Sequence, residues 1–164
     1  VVSPDNILMY LVPEQERRVR EIFAKLSQRG FPTQNQTPHI TLTFAPTMQG
    51  CVVKRAAEIL PPLLPAELHR VGTVVFGTKS KQTIAWLLEA SDELEAAARE
   101  LNRLNPDGRG DRWIPHLTMG LRVPRGLVSS YIQALDEVTS PHFKVLKSEK
   151  VGFWSPKAQK FIDF

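Results

Sequence analysis

A single cysteine, Cys51, stands in this chain of 164 residues, so neither an intramolecular disulfide nor a cysteine-based zinc site can be assembled. Alone, Cys51 reads as a small buried or helix-start residue rather than a nucleophile. Long apolar runs are also missing. The longest, from Ile59 to Leu68, is broken by Pro61, Pro62 and Pro65, far short of the roughly 18 to 20 apolar residues a membrane span requires. Charge of one sign is missing too: 21 Lys and Arg against 17 Asp and Glu leave a formal net charge of +4, too small to demand a long nucleic acid as partner. The first residues contain no basic segment leading into an apolar one, which makes the cytoplasm the expected address. With 42% hydrophobic residues the composition is that of a folded chain, which excludes disorder and coiled coil, and the length suits one domain spanning residues 1–164 and expected to be monomeric.

Hydrophobic periodicity divides the chain into alternating elements. A short apolar run from Asn6 to Val12 reads as a strand, and Pro13 then opens a helix to Arg29, with Val19, Ile22, Phe23 and Leu26 on one face and Gly30 at its end. Residues His39 to Phe44 alternate His/Thr/Thr with Ile/Leu/Phe, the period of a strand with one polar and one apolar face. A helix over Val52 to Leu60 follows, then a hairpin of strands Glu67 to Phe76 and Thr83 to Ala90 around Gly77. Ser91 caps a third helix whose buried stripe is Leu94, Ala97, Ala98, Leu101 and Leu104, stopped by Asn105-Pro106. A second alternating strand covers His116 to Val123, a fourth helix is marked by Val128, Tyr131, Ile132 and Leu135, and the tail over His142 to Trp154 and Lys160 to Phe164 reads as strand. Helices mixed with hairpin-connected strands predict an α+β domain with mainly antiparallel sheet.

Histidine is scarce, with four in the chain, yet two of them share a setting. Pro38-His39-Ile40-Thr41 and Pro115-His116-Leu117-Thr118 both read Pro-His-[Ile/Leu]-Thr, separated by close to half the chain length, each with helix before and after. Chance is a poor explanation, and the repetition predicts a duplicated, two-lobed fold. Pro141-His142 shares the dipeptide but lacks the Thr two places on, and His69 has no such setting at all. On a strand, residues i and i+2 project from one face about 7 Å apart, so each motif offers an imidazole beside a hydroxyl.

If the two lobes bring these strands together, two imidazoles and two hydroxyls converge on one anion-sized volume. Histidine titrates near neutral pH, so a facing pair supplies a general base and a general acid in one turnover, each transfer typically giving about 10²- to 10⁴-fold. A phosphodiester needs both, and the Thr hydroxyls suit its non-bridging oxygens. A lone His-x-Thr is ordinarily a hydrogen-bonded sheet residue; two matched copies reverse that reading. No further Asp, Glu, Cys or His lies at ligand spacing in either strand, so no metal and no other cofactor is expected.

Paired His-x-Thr motifs in a small α+β chain resemble the two-histidine phosphoesterase superfamily, and the most similar branch is that of the RNA 2',3'-cyclic phosphodiesterases, also called 2'-5' RNA ligases. The resemblance covers the order of elements along the whole chain, while its specific part is confined to Pro38 to Phe44 and Pro115 to Arg122. It implies two antiparallel sheets facing across a cleft with helices outside, and metal-free opening of a cyclic phosphate on an RNA end or nucleotide. It further implies His39 as the acid that protonates the leaving oxygen and His116 as the base that activates water, with Thr41 and Thr118 binding phosphate. The RNA-directed branch often carries Arg at the position held here by Leu121, and Gly where Ala45-Pro46 stands. The same groups run in reverse join RNA ends, and the alternative from another class is a module that binds an RNA end or nucleotide without turning it over.

Three further residues are candidate substrate contacts. On an unbroken strand Arg122 shares parity with His116 and Thr118 and faces the same cleft; the alternatives are plain surface charge or a bulge that turns it away. Trp113 and Phe44, with Phe76 and Trp154, are candidate stacking platforms for a base, a contact worth roughly 1 to 3 kcal/mol, although core packing is the ordinary role of such residues. Basic clusters such as Arg109 with Arg112 suit a phosphate backbone, although a solvated face is the more common reading of such runs.

Overall fold

The computed structural model describes residues 3–164. In chain order its elements are β1 (Asp5–Tyr10), α1 (Pro13–Gln28), β2 (His39–Ala45), α2 (Gly50–Ile59), β3 (Ala66–Phe76), β4 (Lys81–Glu89), α3 (Asp92–Leu104), β5 (His116–Pro124), α4 (Val128–Val138), β6 (Val145–Ser148), β7 (Lys150–Ser155) and β8 (Lys160–Asp163). The strands form two antiparallel four-stranded sheets, β2-β1-β7-β8 and β5-β4-β3-β6, so the chain is α+β and two-lobed. The segment β1-α1-β2-α2 recurs as β4-α3-β5-α4, and in both sheets the motif strand lies at an edge.

Local chemistry accounts for the element ends. Pro13 sits in the first turn of α1 with Glu14 and Glu16, favourable against the positive end of the helix dipole, and Gly30 takes the left-handed φ of +90° just past the end. Ser91 Oγ accepts from Leu94 N at 3.2 Å and caps α3, as expected. Cys51 lies exposed in the first turn of α2. The stripe of α3 departs from expectation at its end: Leu104 is 42% exposed, and Asn102 is buried instead because its amide turns toward β2.

The lobes interlock. Helix α1 packs against α4 and α2 against α3, and one continuous apolar core runs from Ile7, Ile40 and Leu42 through Trp86, Leu117 and Leu135. The buried Gln15 of α1 donates from its amide to Val145 O at 2.9 Å and accepts from Lys147 N at 2.7 Å, tying the first lobe's helix to β6 of the second. The tail reads as strand throughout, but it changes sheets: β6 pairs with β3 while β7, one residue later, pairs with β1. Fully buried Ser148 makes the crossing, its hydroxyl donating to Tyr10 O at 2.6 Å.

Candidate active site

As edge strands, β2 and β5 each present a row of backbone groups without a ladder partner, and they lie against one another across the cleft. Both carry a bulge three residues after the histidine. Thr41 lies opposite Leu8 and Thr43 opposite Ile7, leaving Leu42 without a cross-strand partner; Thr118 lies opposite Ala85 and Gly120 opposite Ile84, leaving Met119 without one. An extra residue reverses the facing of everything beyond it. The sequence places Thr43 on the polar face and Phe44 on the apolar one. The bulge exchanges them: Thr43 is 1% exposed and Phe44 is 49% exposed, on the face shared with Asn6 and Thr41.

The same effect overturns the placement of Arg122. A second irregularity sets Leu121 and Arg122 against one residue of β4, Arg122 adopts the left-handed φ of +56°, and its side chain lines neither cavity that holds a histidine. The cation beside His116 is Arg109, from the loop before β5, which lines a cavity with His116, Thr41, Phe44 and Trp113. Trp113 and Phe44 both line this cavity, Phe44 only because the bulge turns it there, and two more aromatics stand near the histidines: the Phe76 ring packs 4.8 Å from the His116 imidazole, and Trp154 lines the His39 cavity with Asn6 and Tyr10.

The two histidines are held alike. His39 Nδ1 lies 2.8 Å from Thr37 O, and His116 Nδ1 lies 2.7 Å from Ile114 O, the carbonyl two residues back in both cases. A carbonyl only accepts, so each Nδ1 carries the proton and each Nε2 is left as the nitrogen available to a ligand. Burial lowers the pKa of His39 below the usual imidazole value, the Thr37 carbonyl opposes this, and repulsion from His116 adds to the lowering. Burial likewise lowers His116, opposed by the Ile114 carbonyl and reinforced by Arg109. Both rings are consequently neutral at neutral pH in the free protein, and His39 is close enough to respond to charge on His116.

The four motif side chains do not open onto a single cavity. Thr41 and His116 line one and His39 another, with the hydrogen bond from Asn6 Nδ2 to Thr41 Oγ1, 3.1 Å long, at their boundary. Asn6 donates there, so the Thr41 hydroxyl keeps its own proton for an acceptor in the cleft. Thr118 is partly buried and shares the His116 face, since the ladder from Leu87–His116 to Ala85–Thr118 is unbroken.

Side chains from each half complete the other half's motif strand. Trp113 Nε1 donates to Thr41 O at 2.9 Å, so its polar end fixes β2 while its ring walls the cavity. Gln34, 7% exposed in the loop before β2, accepts from Leu121 N at 2.7 Å and donates to Leu121 O at 3.4 Å. At the bulges, Asn102 Nδ2 donates to Leu42 O at 2.8 Å, Asn105 Nδ2 donates to Thr43 Oγ1 and Phe44 O at 2.9 and 3.0 Å, and the Tyr131 hydroxyl donates to Met119 O. Sequence reasoning missed Gln34, Asn6, Asn102, Asn105 and the role of Arg109. The available signals were the polar Asn102 and Asn105 at the end of an otherwise apolar stripe and Gly108 and Gly110 flanking Arg109.

No protein-family model matches this chain, and no curated protein matches it.

Proposed function

We propose that the protein is a metal-independent phosphodiesterase that opens a 2',3'-cyclic phosphate on an RNA end or nucleotide. The observation that carries this reading is the matched tethering of His39 and His116 through Nδ1, which leaves two imidazole Nε2 atoms, one on each facing edge strand, for proton transfer. Simple binding of an anion is better served by fixed cations than by two neutral imidazoles.

Roles follow from the surroundings. Arg109 disfavours charge on His116, which suits the base: neutral Nε2 takes a proton from water as the water oxygen bonds to phosphorus. Among the described residues no such cation lines the His39 cavity, and a bound phosphate anion raises the pKa of His39, so it takes up the proton that it then delivers to the departing ribose oxygen as the P–O bond breaks. One proton is gained at His116 and one lost at His39, and exchange with solvent resets the pair. The Thr41 and Thr118 hydroxyls donate to the non-bridging oxygens, whose charge grows in the transition state. With the 5'-hydroxyl of a second RNA in place of water, the same groups join ends: His116 takes the hydroxyl proton as its oxygen bonds to phosphorus, and His39 protonates the departing ribose oxygen.

The test is to incubate EDTA-treated protein with cyclic nucleotides and a short RNA ending in a 2',3'-cyclic phosphate, and to identify the product isomer. Ring opening to a single monophosphate isomer is expected; binding without hydrolysis would make the cleft a recognition module instead.

A further inference from the structure

We propose that Arg109 receives a second phosphate of the substrate, so that the cleft selects a nucleotide that is also phosphorylated on its 5' oxygen, as at the end of an RNA strand, over a free nucleoside cyclic phosphate. This rests on the phosphodiesterase reading and narrows its substrate. Among the described residues, apart from His116 itself, Arg109 is the one ionisable side chain lining the His116 cavity, and no Lys, Arg, Asp or Glu lines the His39 cavity. The described residues thus charge the cleft on one side only. Among the described residues Arg109 forms no ion pair, while nearby Arg103 is committed to Asp111 at 3.6 Å.

The loop presenting Arg109 is anchored rather than free. Gly108 N donates to Asn105 O at 2.9 Å and Asp107 N to Asn105 Oδ1 at 3.1 Å, and a Cβ on Gly108 would stand 2.3 Å from Asn102 O, so only glycine fits there. The same Asn102 and Asn105 hold the β2 bulge, which ties the base of the Arg109 loop to the strand carrying Thr41 and Phe44. One cavity therefore gathers an imidazole and a hydroxyl, the aromatic wall of Phe44 and Trp113, and a guanidinium. That set suits the reacting phosphate, the base and the 5'-phosphate of one nucleotide, the base branching from the ribose between the two phosphates. A guanidinium binds phosphate through two parallel N–H donors, and aromatic rings accept any base face.

Titration of the full chain with a nucleoside 3'-monophosphate and with the corresponding 3',5'-bisphosphate tests this, with hydrolysis of the 2',3'-cyclic phosphate followed separately with and without a 5'-phosphate. Wild type is expected to favour the bisphosphate by about tenfold, as for a charged hydrogen-bonded contact. In Arg109→Gln that ratio falls to about one, and in Gly108→Ala, which forces the loop off α3, it falls as well. Equal affinities in wild type, or an undiminished ratio in Arg109→Gln, would overturn the assignment. Because binding is read independently of turnover, a preserved ratio dependence without hydrolysis keeps Arg109 in place and removes the phosphodiesterase reading, while hydrolysis without it does the opposite.

Discussion

At the scale of single residues, the proposed chemistry turns on two imidazoles that are neutral when nothing is bound. Since His39 and His116 both titrate below the usual value of about 6.5, the form the proposed reaction needs, His39 protonated and His116 neutral, becomes scarcer by about tenfold per pH unit above that value. In kcat/KM, which reports the free protein, the optimum is therefore expected below pH 6.5, with activity falling toward alkaline pH. In kcat the optimum moves upward, because bound phosphate restores the pKa of His39. A kcat/KM that rises from pH 6.5 to 8 would contradict these assignments. Asn6 contributes at the same scale, since by donating to Thr41 it settles which way the hydroxyl proton points.

At the scale of elements, the paired bulges position the site. Each frees one carbonyl from its ladder, and a side chain meets it: Asn102 for Leu42, Tyr131 for Met119. Gly120 is where this becomes most exacting, because a Cβ there would lie 2.7 Å from the Tyr131 ring. Gly120→Ala is expected to destabilise the fold by about 1 to 3 kcal/mol, the usual range for an overpacked core, read as a lower urea midpoint at unchanged m. An unchanged midpoint would mean that Tyr131 does not hold the bulge. Helices and strands were legible because their apolar period is written locally: Val19, Ile22, Phe23 and Leu26 for α1, His39 to Phe44 for β2. A bulge is a property of a pair of strands, so nothing in Leu42 or Met119 announces it, and the expected faces of Thr43, Phe44 and Arg122 failed together for that one reason. The sheet change at Glu149 was hidden likewise, since β6 and β7 have the same local pattern whichever sheet they join.

At the scale of the whole molecule, duplication converts two unremarkable edge strands into a cleft. Neither half is complete alone: Trp113 of the second holds Thr41 of the first, Gln34 of the first holds Leu121 of the second, and the core is continuous between them. The repetition of Pro-His-x-Thr made the two-lobed architecture readable from sequence, and both motifs lie on the facing edge strands. The loops that cross between halves were not readable, because Gln34 and Arg109 act on partners far along the chain. Symmetry is broken by Arg109, which sets the two imidazoles in different fields and so, in the proposed reaction, separates base from acid.

The central claim, that His39 and His116 work as one acid–base pair across the cleft, is tested most directly by turnover of a short RNA ending in a 2',3'-cyclic phosphate. His39→Ala, His116→Ala and the double variant would be compared at matched folding by circular dichroism. Each single change is expected to lower kcat by at least about 10²-fold, with the double variant little worse than either, as for groups acting as a unit. Full activity in either single variant, or losses that simply multiply in the double, would contradict it.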